Sequence, residues 1–206
     1  MNYKALFTDL DGVIRIWRRQ NEVDTMPQSG LPDGAIRQIA FSPELVQPAI
    51  HGQCTHEEWM RQVEEQLQRE YPEADAKQIM QRFSEPAGEV DHRVLGLIRA
   101  CRKTAPVYLI TNATSRLPSD LAALGLNEEF DQVINSSDIG YAKPGPEIFQ
   151  TALQIAGVTA EQSFFVDDTE KNVLAAADLG FGSHLYESQS KLSAHLMKIG
   201  LLNLIY

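Results

Sequence analysis

The sequence lacks the features that mark secreted, membrane or nucleic-acid-binding proteins. Its 206 residues contain only two cysteines, too few for a disulfide framework. No apolar run approaches the roughly 18 residues that a bilayer span needs, and an acid at position 9 interrupts the first apolar segment before a secretory signal develops. Lys and Arg total 18 against 28 Asp and Glu, a net charge of −10 that disfavours polyanionic surfaces as partners. We therefore expect a cytoplasmic protein that binds neither nucleic acid nor membranes.

Two common catalytic signatures are also missing. There is no glycine-rich loop ending in Gly-Lys-Ser/Thr, which disfavours a nucleotide-driven P-loop enzyme. The five histidines show no zinc-binding spacing. The hydrophobic fraction of 43% is ordinary for a globular chain. These observations leave a globular protein of one large or two small domains that handles small molecules.

Short apolar runs predict five buried strands. Because each run places aliphatic or aromatic residues back to back, it suits a parallel sheet covered on both faces. The predicted strands are Lys4–Thr8, Val107–Ile110, Val133–Asn135, Ser163–Val166 and Ser183–Tyr186. Helices are predicted from Pro146 to a stop at Gly157 and from about Asn172 to Gly180. This alternation predicts an α/β fold with a doubly wound parallel sheet.

The stretch between the first two strands differs in pattern and predicts an inserted α-helical domain. It shows helical periodicity and no comparable β run, and Thr55-His56-Glu57-Glu58 is a capping box that opens one of its helices. Ser42-Pro43-Glu44 predicts the start of another helix. In that helical domain we expect Trp59 and Met60 to be core residues. The segment Ser84–Gly88 is a predicted return hinge.

The predicted division places residues 1–15 and 88–206 in an α/β core and residues 16–87 in the α-helical insert.

Two acids follow the first predicted strand directly. Asp9 and Asp11 flank Leu10, so their carboxylates can start from the same side of the chain, and Gly12 permits a tight turn after them. Since the carboxyl ends of parallel strands face the ligand crevice, both acids are expected there. Two such carboxylates can divide nucleophilic attack and proton transfer. Taken alone, the pair is also explained as a solvated acidic turn.

Other polar residues are expected at the same sheet edge. Thr111 and Asn112 follow the second strand and offer a hydroxyl and backbone N–H groups, although Thr111 alone could be a turn or N-cap hydroxyl. Lys143 precedes a predicted helix and in isolation could be a surface lysine. Asp167 and Asp168 end a buried strand, where adjacent acids require a positive partner. All-oxygen carboxylate ligands favour a hard divalent ion such as Mg²⁺, and the whole set suits phosphoryl transfer.

These four motifs, in this order, resemble those of the haloacid dehalogenase-like hydrolase superfamily, in which most members are phosphatases. The matching segments are Asp9-Leu10-Asp11-Gly12-Val13, Leu109-Ile110-Thr111-Asn112, Lys143, and Val166-Asp167-Asp168 through Asn172. The helical insert resembles the small α-helical cap of this family. In place of a second downstream acid, the fourth motif has Asn172.

The resemblance implies roles for the motif residues. Asp9 would attack phosphorus and form a phosphoaspartate, and Asp11 would protonate the leaving alcohol and later activate water. Mg²⁺ would be held by Asp9, the backbone carbonyl of Asp11 and Asp168, with Asp167 in support. Thr111, Asn112 and Lys143 would bind the phosphoryl group. The expected activity is hydrolysis of a small phosphorylated metabolite.

Three alternatives remain open at the level of sequence. A sugar phosphomutase would use the same phosphoaspartate, and a 2-haloacid dehalogenase would attack carbon and need no acid at Asp11. A phospho-accepting signalling module also gathers acids, Thr and Lys at strand ends. In that module, however, the paired acids precede the acceptor and the lysine comes last, whereas Lys143 here precedes Asp167.

A basic, aromatic stretch follows the first motif. It contains Arg15, Trp17, Arg18 and Arg19. These residues could meet the leaving group of a substrate, but the interpretation we favour from sequence is a solvated basic linker.

Overall fold

The structure is a computed structural model that describes residues 3–17, 31–84 and 88–203. Its strands are β1 (Ala5–Thr8), β2 (Arg15–Ile16), β3 (Glu89–Val90), β4 (Val107–Thr111), β5 (Gln132–Asn135), β6 (Ser163–Asp167) and β7 (Gly182–Leu185). Its helices are α1 (Ala35–Ala40), α2 (Pro43–Ile50), α3 (His56–Glu70), α4 (Ala76–Phe83), α5 (His92–Arg102), α6 (Leu117–Ala123), α7 (Ser136–Ile139), α8 (Pro146–Ala156), α9 (Glu170–Asp178) and α10 (Gln189–Lys198).

A five-stranded parallel sheet forms the core, with the strand order β5-β4-β1-β6-β7. Each of its strands begins and ends within one residue of the predicted bounds, so the doubly wound α/β fold is confirmed. From β1 the chain adds β4 and then β5 on one side, and it then crosses back to add β6 and β7 on the other side of β1. The strand order therefore reverses beside β1, where ligands bind in open sheets of this kind.

Alternating residues along the strands bury both faces of the sheet. Leu6 and Leu109 pack with α5, α6 and α10 in one apolar cluster. Phe7 and Tyr108 pack with α8 and α9 in a second cluster on the other face. The three central strands β1, β4 and β6 are buried at every position, which is why they could be recognised as short, mostly apolar runs.

The predicted start and end of α8 are confirmed. Pro146 is its first residue, and Gly157 follows it with a positive φ of 65°. Helices α5, α6, α7 and α10 were not predicted, although Asp91 caps α5 by accepting hydrogen bonds from Arg93 and Val94.

Helices α1 to α4 build a separate apolar cluster between β2 and β3 in the chain. The predicted capping box is present, with the Thr55 side chain accepting from Glu58 N–H and the Glu58 side chain accepting from Thr55 N–H. Trp59 is buried and donates its indole N–H to the Ala40 carbonyl at 3.0 Å. Met60 packs against the same cluster, so both predicted core residues lie where the helical periodicity placed them. Pro43 is the first residue of α2 as predicted, although its N-cap Ser42 makes no side-chain capping bond.

A short antiparallel ribbon links this helical segment to the sheet. Arg15 pairs with Val90 and Ile16 with Glu89. No sequence pattern predicts this ribbon, because strands of two residues are too short to show alternation. Of the predicted hinge Ser84–Gly88, residues 85–87 lie outside the described part of the chain, as do Arg18 and Arg19.

Among the described residues, the helices are too short or too polar to cross a bilayer.

Two histidines face each other between β7 and α10. The ring centroids of His184 and His195 are 4.8 Å apart, and within the described chain the buried Nε2 of His184 has no hydrogen-bond partner. Burial lowers the pKa of both rings; Lys191 and His195 lower the pKa of His184 further, while Glu187 opposes them. The unfolded chain therefore takes up a proton first as the pH falls, and stability present at neutral pH is lost in acid.

We expect the free energy of unfolding to fall between about pH 7 and about pH 5, and to fall less in a His184→Leu variant. Urea denaturation at each pH measures both curves. His92→Gln, at an exposed position in α5, is the matched control and should follow the parent protein. Identical pH curves for His184→Leu and the parent would contradict the assignment.

Candidate active site

The nucleophile predicted from sequence follows β1 and is held by the neighbouring strand. The backbone N–H of Asp9 donates to the Val166 carbonyl at 2.9 Å. Its Oδ1 accepts the backbone N–H of Leu10 at 2.8 Å, and the residue is only 7% exposed. The sheet therefore fixes this carboxylate at the end of its central strand.

A buried lysine links Asp9 to the end of β6. The Nζ of Lys143 lies 2.9 Å from Asp9 Oδ1 and 2.7 Å from Asp167 Oδ2, and it donates to the Ile110 carbonyl at 3.0 Å. Its side chain is 1% exposed. An ammonium group can be buried this deeply because two carboxylates and a carbonyl replace its water.

Asn112 positions Lys143 through the backbone. Its Oδ1 accepts the Lys143 backbone N–H and its Nδ2 donates to the Lys143 carbonyl, both at 2.8 Å. The Asn112 side chain therefore stabilises the loop that contains Lys143. The expected contact of Asn112 with substrate remains a prediction.

The paired acids at the end of β6 have different surroundings. Asp167 is fully buried and accepts from Thr169 N–H at 2.8 Å and from Asn172 Nδ2 at 3.1 Å, in addition to Lys143. Asp168 is exposed and accepts from the Thr169 hydroxyl at 3.2 Å. Asp167 is therefore built into the site, whereas Asp168 is accessible to a ligand.

Three carboxylates form a candidate cation site. Oxygens of Asp9, Asp167 and Asp168 lie within 4.8 Å of one another. The donor set contains only oxygen, which suits a hard divalent cation. The Oδ1 atom of Asn172, which is buried and has no partner in the described chain, adds a further acceptor beside them. The residues present therefore fit Mg²⁺.

The charges in this cluster are poorly balanced. Burial, together with repulsion from Asp167 and Asp11, raises the pKa of Asp9 to about 7 even though Lys143 opposes the shift. Burial and Asp167 likewise raise the pKa of Asp168. Although burial disfavours its charge, Asp9 and Asp167 raise the pKa of Lys143. The single positive charge of Lys143 does not neutralise the negative charges of Asp9, Asp167 and Asp168. A divalent cation bound among these carboxylates would stabilise their ionised forms.

The predicted residues converge on one cavity of about 520 Å³. Its lining includes Asp9, Asp11, Thr111, Asn112, Lys143 and Asp168, and also Gly12, Ile16, Trp17, Thr169, Lys171 and Asn172. Thr111 is the last residue of β4 and is 1% exposed. Asp167 lies behind this lining and contacts it through Lys143 and Asn172.

The interpretation of Arg15 as part of a solvated linker is wrong. Arg15 is 5% exposed and forms a two-point ion pair with Asp11. Trp17 is 43% exposed, but its indole N–H also donates to Asp11, at 2.7 Å. The spacing of four residues between Asp11 and Arg15 was visible in the sequence, but their contact depends on the turn at Gly12, which folds residues 11 and 15 together.

Fold and site together define a doubly wound α/β protein with a cluster of acidic groups at the carboxyl ends of its parallel strands. The family model for haloacid dehalogenase-like hydrolases matches residues 3–180, and the chain belongs to this family. The resemblance inferred from the four motifs is thereby confirmed.

Three relatives illustrate the similarity. A D-ribitol-5-phosphate phosphatase from Bacteroides thetaiotaomicron is 29% identical over 186 residues, covering 86% of this chain and 89% of that protein. Haloacid dehalogenase-like hydrolase domain-containing protein 3 from Bos taurus is 30% identical over 144 residues, covering 66% of this chain and 57% of that protein. A HAD family enzyme from Bacteroides thetaiotaomicron, crystallised with magnesium and inorganic phosphate, matches in fold with a TM-score of 0.75 at 23% identity, covering 93% of this chain and 99% of its own.

Gly12 provides a test of the cation site. It has a φ of 74°, and a Cβ built on it would lie 1.8 Å from Asp168 Oδ2. Gly157 has a similar φ of 65° with nothing within 4 Å of such a Cβ. We expect Gly12→Ala and Gly157→Ala to share a conformational penalty of about 1–2 kcal/mol in urea denaturation. Only Gly12→Ala should weaken Mg²⁺ binding in isothermal titration calorimetry, because Asp168 must move. Equal Mg²⁺ affinity in the two variants would contradict this placement of Asp168.

Replacement of Lys143 tests the buried ion pairs. Lys143→Met leaves Asp9 and Asp167 without their cation, and we expect it to lower the free energy of unfolding by about 3–5 kcal/mol. Lys191→Met removes an exposed lysine that pairs with Glu187 and should have a much smaller effect. Equal losses in the two variants, measured by chemical denaturation, would show that the Lys143 pairs do not stabilise the fold.

Proposed function

We propose that the protein is a Mg²⁺-dependent phosphomonoester hydrolase that acts on a small phosphorylated metabolite through a phosphoaspartate. The observation that carries this proposal is the arrangement of Asp9, Lys143 and Asp168 around one cavity, with Thr111 at its wall. A carboxylate nucleophile, a buried cation and a hydroxyl donor are the groups that phosphoryl transfer needs. The phosphatase name of the Bacteroides relative supports the same activity.

In the first half-reaction Asp9 is the nucleophile. One of its carboxylate oxygens attacks phosphorus while the bond from phosphorus to the alcohol oxygen breaks. Lys143 and Thr111 hold the oxygens of the transferring group, and Asp167 keeps the Lys143 ammonium directed at the reacting centre. The leaving alkoxide takes a proton from the Asp11 carboxyl group, which becomes ionised.

In the second half-reaction Asp11 reverses its role. Its carboxylate accepts a proton from a water molecule as that water attacks phosphorus and the bond to Asp9 breaks. Inorganic phosphate leaves, and Asp9 and Asp11 return to their starting forms. Asp11 lines the same cavity as Asp9, which is the placement that both proton transfers require.

Mg²⁺ would be held by Asp9, Asp168 and the Asp11 backbone carbonyl, with Asp167 in support through Lys143. When bound, the ion offsets the negative charge that the acids and the phosphate bring together.

The helical segment is proposed to act as a cap. In this proposal residues 16–87 form the cap, and residues 1–15 and 88–206 form the core. The cavity reaches from the catalytic acids to Ile16 and Trp17, where the chain leaves the core. A volume of about 520 Å³ suits a metabolite of the size of a pentitol phosphate, the kind of substrate that the name of the Bacteroides phosphatase specifies.

A panel of phosphorylated metabolites, assayed for released phosphate with and without Mg²⁺, tests the proposal. It should include D-ribitol 5-phosphate, glyceraldehyde 3-phosphate and pyrimidine nucleotides, the substrates that relatives' names specify. We expect Mg²⁺-dependent release from at least one compound and loss of turnover in Asp9→Asn. Asp178→Asn, on the exposed side of α9, is the control that should keep full activity.

Other outcomes would overturn the proposal in distinct ways. Sugar phosphate isomers without free phosphate would indicate a mutase, and halide released from a 2-haloacid without Mg²⁺ would indicate a dehalogenase. An acyl phosphate that persists for minutes without turnover would indicate a signalling module. Full phosphatase activity in Asp9→Asn would exclude the assigned nucleophile.

A further inference from the structure

The side chain of Asp11 is held by three N–H donors that all come from the next six residues. Arg15 Nε lies 2.5 Å from Oδ1 and Arg15 Nη2 lies 2.8 Å from Oδ2. Trp17 Nε1 donates to Oδ1 at 2.7 Å. The fork of a guanidinium group fixes the plane of a carboxylate as well as its position, which a single donor cannot do.

Arg15 is itself firmly held. Its Nη1 donates to Asp120 Oδ2 on α6 at 3.2 Å, and Asp120 Oδ1 accepts from Arg116 at 2.9 Å. The backbone of Arg15 pairs with Val90 in the two-stranded ribbon. Its guanidinium carbon lies 4.7 Å from the ring centre of Trp17. A buried arginine with these fixed contacts can impose its orientation on Asp11.

We propose that Arg15 is a positioning residue that orients Asp11 for proton transfer to the leaving group, with Trp17 as the second contributor. This inference rests on the proposed phosphatase function. A carboxylate has about four lone-pair sites, and Arg15 and Trp17 occupy three of them, two on Oδ1 and one on Oδ2. The geometry leaves one site on Oδ2 as the place from which a proton can pass to the alkoxide and to which water later returns it.

The choice of leaving group separates this role from a structural one. An alkyl phosphate releases a basic alkoxide that needs a proton, whereas 4-nitrophenyl phosphate releases a stable phenolate that does not. The value of kcat/KM reports the steps up to transfer onto Asp9, before water is activated. A residue that acts through Asp11 should therefore affect the alkyl ester far more than the aryl ester.

The test compares kcat/KM for both esters in Arg15→Lys, which retains a charge but not the fork. We expect a fall of about 10–100-fold for the alkyl phosphate, since general acid catalysis contributes about 10²–10⁴-fold and only its alignment is lost. For 4-nitrophenyl phosphate the fall should be at least tenfold smaller. Arg15→Met combined with Asp11→Asn should be no slower toward the alkyl ester than Asp11→Asn alone, because the two residues act as one unit.

Two further variants distinguish the positioning role from a general effect of the substitution on folding. Trp17→Phe removes one N–H from an exposed ring and should show the same selectivity in weaker form. Arg99→Met breaks a comparable two-point pair with Glu129 on the outside of α5 and should affect neither ester.

Equal falls in kcat/KM for both esters in Arg15→Lys and Trp17→Phe would overturn the positioning role. So would a kcat/KM for the alkyl ester that is lower in Arg15→Met combined with Asp11→Asn than in Asp11→Asn alone. A faster alkyl reaction in Arg15→Lys would also overturn it, by showing that Arg15 restrains Asp11. If the parent protein hydrolyses neither ester, the proposed function fails and this inference fails with it. If the parent is active and only the selectivity is missing, the inference fails alone.

Discussion

The site depends on the burial of one ammonium group between two carboxylates. Lys143 contacts Asp9 and Asp167 from a position that is almost closed to water, and it also binds the Ile110 carbonyl. It thereby joins the ends of β1, β4 and β6 by charge-assisted bonds. The arrangement is stable only while Lys143 and its two carboxylate partners are all present, because removal of one charged group leaves buried charge uncompensated. The same cation that holds the strand ends together faces the place where phosphate oxygens are proposed to bind.

The topology of the sheet explains why these residues meet. Asp9, Thr111 and Asp167 are far apart in sequence, yet each lies at or directly after the carboxyl end of one of three adjacent parallel strands. Strands β4 and β5 lie on one side of β1 and strands β6 and β7 on the other, so the strand order reverses at the site. The apolar clusters on both faces keep the strands in register, and the chemistry is carried by the loops that follow them.

Much of this arrangement could be predicted from the sequence, because continuous apolar runs give way abruptly to polar residues. Asp9 and Asp168 could be placed at one site because strand ends in a parallel sheet face one crevice, and the resemblance of the four motifs added Lys143. Arg15 could not be placed, since its partners Asp11 and Asp120 meet it only through the turn at Gly12 and the packing of α6. The role of the Asn112 side chain was missed for a similar reason: its partner is the backbone of a loop that no local pattern reveals.

The close approach of Asp168 to Gly12 couples the loop after β1 to the loop after β6. The space that a side chain at position 12 would fill is already occupied by the Asp168 carboxylate. Neither loop can therefore accept a bulkier residue or a shifted backbone independently of the other. Redesign of this enzyme toward another ion would have to change both loops together, even though more than a hundred residues of chain separate them.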